Sequence, residues 1–296
     1  MTSFPQLILL DSPAWIDYEL LDSGNGLKLE RFGEYIFIRP EVQALWCCSL
    51  PQSHWDQAHA VFKPISEESG GHWQFNKKME KQWQMSYGGL KFWAQTTPGR
   101  HLGVFPEGAA HWEWFSSLIQ GEGRSLKVLD LFGYTGLATL SAAAVGATIT
   151  HVDASRKAVS WARENQVLSD LVQKPIRWIV DDAYKYVQRE GRRGSKYDGI
   201  ILDPPKFGRG PKGEVWELYK ALPRLLAACR AVLSDNPLFV VLTVYAVKLS
   251  ALHIHTALAE MMDGYNGKLD CGELVIREKS AGRLLSQAVY ARWERS

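Results

Sequence analysis

The chain has 296 residues, 46% of them hydrophobic and 22% charged, with a formal net charge of +2. That balance excludes a disordered chain and a strongly basic nucleic-acid binder, and the length allows one large domain or two ordinary ones. No apolar run approaches the roughly 20 residues that a membrane helix needs, and no basic-then-apolar leader opens the sequence, so a cytoplasmic protein is expected.

The first part reads as β-rich. Gly24-Asn25-Gly26 marks a turn between apolar stretches, Leu27–Phe32 partly alternates, Gly33-Glu34 turns, and Tyr35–Ile38 ends at Arg39-Pro40. Two-residue turns between such runs predict a hairpin or meander. Trp73–Phe75 and Leu90–Ala94 read as further strands around Tyr87-Gly88-Gly89. Trp46, Trp55, Trp73, Trp83 and Trp93 make this region aromatic. Such rings either stack on exposed bases or, more often, fill a small β core. After Thr97-Pro98-Gly99, a helix is expected beyond Pro106, closing at Gly121–Gly123.

From Lys127 the pattern becomes strand–helix alternation. Strands are expected at 128–132, 148–152, 176–180, 199–202 and 238–244. Helices are expected at 136–145, 155–168 with Ser155 as N-cap, up to Glu190, around 214–233, and from about Val247 to Met262. Two strands, 273–277 and 284–293, close the chain. Near-continuous apolar strands separated by helices predict a parallel sheet covered on both faces. The expected fold is α/β, a Rossmann-like, mostly parallel sheet with an antiparallel C-terminal hairpin. The expected domains are a β-rich accessory domain over 1–100 and a catalytic domain over 101–296.

In an open parallel sheet, ligands bind beyond the carboxyl ends of the strands. Here four successive strand ends carry a carboxylate: Asp130, Asp153, the Asp181-Asp182 pair, and Asp203. Gly133 and Gly136 allow close backbone approach before a helix begins. Asp153, 23 residues after Asp130, suits a ribose diol, and Asp182 suits an adenine amino group. A nicotinamide dinucleotide fits less well, because only Gly133-x-x-Gly136 stands of its glycine fingerprint, and no P-loop occurs. Residues 1–110 carry a net −3 and the remainder +5, with the excess in Arg189, Arg192, Arg193, Lys196, Lys206, Arg209 and Lys212. A basic patch of this kind attracts phosphates or simply solvates a surface. The four cysteines, Cys47, Cys48, Cys229 and Cys271, contain no CxxC pair, so neither a metal site nor a disulfide framework is expected.

Asp130-x-Phe132-x-Tyr134-Thr135-Gly136 together with Asp203-Pro204-Pro205-Lys206-Phe207 resembles the class I methyltransferases that modify large-subunit ribosomal RNA bases. The resemblance spans about residues 90–296. It implies S-adenosylmethionine as cofactor and ribosomal RNA or a ribosomal subunit as partner, with no membrane and no metal. By that resemblance Phe132, Gly133, Tyr134 and Thr135 line the methionine end, with Asp130 and Gly136 in the same motif. Asp153 and Ala154 hold the ribose, Asp182 and Ala183 the adenine, and Asp203 faces the transferring methyl. Phe105, in Gly103–Glu107, is expected near the cofactor.

The chain departs from the family in two respects. Relatives often carry an extra N-terminal RNA-binding module, which this sequence is expected to lack. Members that methylate carbon 5 of cytosine need a nucleophilic cysteine. The matching segment Thr243-Val244-Tyr245-Ala246-Val247-Lys248 has none, nor has Asp203-Pro204-Pro205. The expected acceptor is therefore a base nitrogen, with Asp203, Pro204, Pro205 and Lys206 at the reacting centre. Phe207 either stacks on the base or anchors the following loop. Lys206 and Arg209 are expected to hold a phosphate or orient the base, and Tyr245 and Lys248 either to border the substrate or to serve core and cap roles. The alternative is a protein or small-molecule acceptor.

Overall fold

The computed structural model describes residues 5–65, 70–245 and 248–296. The chain forms two compact units. One comprises Asp11–Glu107 and Val275–Ser286; the other comprises Met1–Leu10, Gly108–Leu274 and Gln287–Ser296. In sequence a single cut near residue 100 divides the chain, whereas in space it passes between the units four times.

Strand β1 (Leu7–Asp11) comes first. The β-rich unit then runs through β2 (Tyr18–Gly24), β3 (Leu27–Phe32), β4 (Tyr35–Pro40), the one-turn helix α1 (Gln52–Trp55), β5 (Ala60–Pro64), β6 (Gly71–Phe75), β7 (Gln82–Tyr87) and β8 (Leu90–Gln95). The first five of these strands lie in the order β2-β3-β4-β5-β6, and β7 and β8 form a separate antiparallel ribbon. The expected meander is present, with β2, β3 and β4 paired antiparallel in turn. Its first turn has φ of 54° at Asn25 and 75° at Gly26, the left-handed pair that a tight hairpin needs and Asn-Gly tolerates. The aromatic residues mainly form core: Trp55 and Trp83 are buried, and the Trp73 ring packs 5.5 Å from Phe37 and 5.2 Å from Phe62.

The larger unit begins after a 3-10 turn at Pro106–Gly108 with α2 (Ala109–Gly121). The alternation then runs β9 (Lys127–Leu131), α3 (Leu137–Ala144), β10 (Thr148–Asp153), α4 (Arg156–Leu168), β11 (Ile176–Val180), α5 (Ala183–Arg192) and β12 (Gly199–Leu202). A small antiparallel hairpin of β13 (Phe207–Arg209) and β14 (Val215–Glu217) follows. The chain ends with α6 (Leu218–Val232), β15 (Phe239–Tyr245), α7 (Ala251–Met261), β16 (Gly267–Arg277) and β17 (Leu284–Arg295).

The eight-stranded sheet has the order β1-β16-β17-β15-β12-β9-β10-β11. From β11 to β15 neighbouring strands are parallel, and β17 is antiparallel to β15. Chain order reverses at β9: β10 and β11 lie on one side, β12 and β15 on the other. Such a reversal leaves a crevice beyond the strand ends where ligands bind. The main core joins the apolar β12 and β15 to α5, α6 and α7.

Two predicted helices differ. The one expected around 214–233 starts only at Leu218, because Val215–Glu217 pair with β13. Gly210 N–H donates to the Glu214 carbonyl at 2.8 Å, and the Lys212 N–H to the Glu214 carboxylate at 2.9 Å, which closes the hairpin. Val247, the expected start of the next helix, lies outside the described residues. Its helix, α7, is capped by Ser250, whose N–H is in turn accepted by His253 Nδ1 at 3.2 Å.

Candidate active site

The loop from β9 into α3 is the most unusual backbone of the larger unit. Phe132 has φ of 62°, Tyr134 of 48° and Gly136 of 83°. Non-glycine residues seldom adopt the left-handed region, and such strain gathers at ligand sites. Gly133 is required by close approach, since a Cβ there would lie 2.5 Å from the His151 ring. Hydrogen bonds to β10 and α4 hold the loop. Gly133 N–H donates to the Val152 carbonyl at 3.2 Å, Tyr134 N–H to Asp153 Oδ2 at 3.0 Å, and Asn165 Nδ2 to the Thr135 carbonyl at 3.0 Å.

Asp130 lies beneath this loop, only 1% exposed. Thr139 Oγ1 is 2.5 Å from its Oδ2 and 2.9 Å from His151 Nδ1. Burial pushes the Asp130 carboxyl up to about 7, with the nearby Asp153 adding to the shift. Burial also pulls His151 down to about 3, so the imidazole is neutral at neutral pH. The 3.8 Å approach of His151 to Asp130 is thus a polar contact rather than an ion pair of full charges. Thr139 and His151 are absent from the sequence motifs. Their only signal is a polar residue inside an otherwise apolar strand or helix.

At the end of β10, both oxygens of Asp153 are held: Oδ2 by Tyr134 N–H, and Oδ1 by Ser155 N–H at 2.7 Å. Burial raises its carboxyl above the ordinary value. Ala154 follows, and Ser155 caps α4 by accepting from Ala158 N–H at 3.2 Å, as its sequence position predicts. After β11, Asp181 pairs with Arg189, and Asp182 Oδ1 caps α5 by accepting from Lys185 N–H at 2.9 Å. Ala183, the first residue of α5, is buried. Asp203, after β12, is tied to the neighbouring strand end by donating its N–H to the Leu131 carbonyl at 3.3 Å.

Beyond Asp203 the decisive residue is one that the motifs do not reveal. Trp216, only 5% exposed, donates its Nε1–H to the Pro205 carbonyl at 2.6 Å. Its ring lies 4.9 Å from that of Phe132. Trp216 therefore joins the Asp203-Pro204-Pro205 segment to the strained loop. Trp216 is thus the buried side chain of the hairpin, whereas Phe207 is 57% exposed. The signal was an alternation over Val215-Trp216-Glu217 too short to stand out beside the helix that follows.

The Phe105 ring packs 4.9 Å from His101 within the β-rich unit. Tyr245, at the end of β15, packs against the cluster of Leu274, Ala288 and Tyr290. Lys248 is exposed, and its N–H donates to the Tyr219 hydroxyl at 3.1 Å. Ala246 and Val247 between them lie outside the described residues.

The basic cluster divides in two, because α5 runs away from the strand ends for about 15 Å. Arg192, Arg193 and Lys196 fall at or beyond its far end, where Arg193 pairs with Glu190 at 2.8 Å. Lys206, Arg209 and Lys212 stay with the hairpin, exposed and with no ion pair among the described residues. No group of three or more metal-ligating side chains occurs among the described residues.

A family profile described as "Conserved hypothetical protein 95" matches residues 109–223, from α2 into α6. The chain is 28% identical to the ribosomal RNA large subunit methyltransferase K/L of Shewanella sp. (strain ANA-3) over 193 residues, 64% of this chain and 26% of that one. It is 26% identical to the protein of the same name from Pseudoalteromonas atlantica over 211 residues, 66% of this chain and 29% of that one. The chain thus spans about a quarter of the length of these curated relatives. The crystal structure of the SAM-dependent methyltransferase from Agrobacterium tumefaciens is 48% identical, with a TM-score of 0.94, covering 100% of this chain and 98% of that one. SMU.776, solved in complex with SAH, shares the fold at 18% identity and a TM-score of 0.72, over 94% of this chain and 75% of that one.

Proposed function

This chain belongs to the S-adenosylmethionine-dependent methyltransferases, and from that premise we propose that it methylates a base nitrogen in ribosomal RNA. One observation carries the placement of the reaction: the carboxylates of Asp153, Asp182 and Asp203 stand at the same end of the parallel strands that flank the order reversal at β9. The acceptor class is supported by the ribosomal RNA methyltransferases among the relatives and by Lys206, Arg209 and Lys212 of the hairpin, which form no ion pair among the described residues.

The residues fit the cofactor. Asp153 spends one lone pair on each oxygen holding backbone N–H groups, and a carboxylate offers about four acceptor sites. Capacity for two ribose hydroxyls therefore remains, with Ala154 beside it. Phe132, Gly133, Tyr134, Thr135 and Gly136 form the cradle for the methionine end, and Asp130 props that cradle from below. Asp182 and Ala183 receive the adenine. S-adenosylmethionine supplies a methyl on a positively charged sulfur, ready for in-line attack.

The protein's task is then alignment, and orientation alone can remove roughly 7–11 kcal/mol of barrier. Asp203 accepts the hydrogen of the attacking nitrogen. The Pro204 and Pro205 carbonyls are further acceptors, the latter with one lone pair already engaged by Trp216. Lys206 and Arg209 hold phosphate, Phe207 stacks on the base, and Tyr245 and Lys248 border the acceptor. A thiolate route to 5-methylcytosine is not part of this reading, since Cys229 and Cys271 in this unit are both 0% exposed.

The test is transfer from radiolabelled S-adenosylmethionine to ribosomal RNA, ribosomal subunits and bulk protein in parallel. Label is expected in RNA as an N-methylated nucleoside. Asp203→Ala should lower turnover by about 10²–10⁴, with cofactor affinity within roughly threefold of wild type. Label only in protein or small acceptors would replace the RNA reading, and unchanged turnover in Asp203→Ala would remove that residue's role. A 5-methylcytosine product abolished by one Cys→Ser change would overturn the choice of a nitrogen acceptor.

A further inference from the structure

We infer that the outward face of the β13–β14 hairpin is a docking surface for the single-stranded nucleic acid that carries the methylated base, an inference that rests on the RNA reading above. The hairpin pairs Phe207 with Glu217, Gly208 with Trp216 and Arg209 with Val215. Directly opposed residues of an antiparallel pair share a face, and neighbours along a strand alternate. Gly208 and Trp216 therefore face inward, and Trp216 is buried against Pro205 and Phe132. Phe207, Arg209, Val215 and Glu217 face outward.

That outward face combines two properties that isolated surface residues lack. Phe207 is 57% and Val215 62% exposed, so a flat apolar platform is left open to solvent. Beside it, Lys206, Arg209 and Lys212 carry charge without an ion pair among the described residues. The acidic side chains of the hairpin are neutralised: Glu214 by Lys185 at 2.7 Å, and Glu217 by Lys220 at 2.7 Å. An aromatic platform in a cationic frame suits unstacked bases on a phosphate chain, because every base offers a π-face and every linkage an anion. A duplex, with its bases stacked inward, leaves Phe207 nothing to stack on. The Trp216 anchor fixes this face to the Asp203 segment, so a strand bound there is held in register with the reacting base.

The experiment uses the full chain and a fluorescein-labelled mixed-sequence single-stranded RNA of about 20 nucleotides, which leaves room beyond the 4–16 that single-strand sites occupy. Anisotropy titrations across a salt series give the affinity and its salt slope. Arg209→Ala/Lys212→Ala should shallow the slope by about 1.4, two phosphate contacts at about 0.7 each. Phe207→Ala should weaken binding roughly tenfold while leaving the slope unchanged. Arg192→Ala, at the far end of α5, should alter neither. If wild type methylates RNA while both hairpin variants keep wild-type affinity and slope, this inference is overturned and the RNA reading stands. If wild type neither binds nor methylates RNA but labels another acceptor, both fall together.

Discussion

Burial disfavours the charged form of both Asp130 and His151 and so shifts the two groups in opposite directions, and stability should record both. Asp130 rises from 3.8 to about 7 on folding, so its contribution is fully present below pH 3.8 and is lost as pH rises through about 7. His151 falls from 6.5 to about 3, so its contribution is present above pH 6.5 and is lost as pH falls toward 3. Between those values the two trends oppose each other, and above pH 6.5 only the Asp130 trend remains. Asp130→Asn, whose amide never ionises, should abolish the loss of melting temperature that wild type shows from pH 6.5 to about 8. A variant that loses as much as wild type over that interval would mean that Asp130 is ionised in the fold. At this scale the sequence marked Asp130, Asp153, Asp182 and Asp203 together. It did not show that Asp130 lies under the loop, because burial depends on what packs above a strand end.

The hairpin of β13 and β14 is the element on which site geometry turns. Its strands are three residues each, and their pairing alone would not hold them. Trp216 supplies the missing stability through one short hydrogen bond and one ring contact. Trp216→Phe keeps the ring but removes the donor. Stopped-flow and steady-state assays should find turnover lowered roughly tenfold, since displacements near 1 Å in a reacting pair cost up to 10²-fold. Cofactor affinity should stay close to wild type, and melting temperature should fall only as far as one lost hydrogen bond requires. A merely structural Trp216 would give the reverse pattern, a lower melting temperature with unchanged turnover of the folded protein. The long strands and helices of the larger unit were legible from apolar runs and caps. The hairpin was not, because three alternating residues next to a fifteen-residue helix carry little periodicity of their own.

The chain is threaded so that late residues complete an early unit. Residues 275–286 pack within the β-rich unit, where Arg283 meets Glu278 at 2.6 Å and Asp22 at 3.3 Å. It also donates to the Ser23 carbonyl at 3.1 Å and to the Cys47 carbonyl at 3.0 Å. Asp22 and Glu278 are buried, so removing their cation leaves two desolvated carboxylates. Arg283→Ala should destabilise the β-rich unit by about 3 kcal/mol, read as a lower urea midpoint. An unchanged midpoint would mean that water or another donor replaces the guanidinium.

By itself the sequence determined the α/β alternation, the parallel sheet with its strand ends, and the carboxylates and glycines at those ends, in motifs that resemble a methyltransferase family. These follow from local periodicity and from residues adjacent in the chain. Tertiary structure alone decided that Asp130 is a buried prop and Trp216 a latch, that the basic cluster splits along α5, and that residues 275–286 return to the β-rich unit. Each of these depends on which distant segments meet in space, and neither periodicity nor spacing along the chain encodes that.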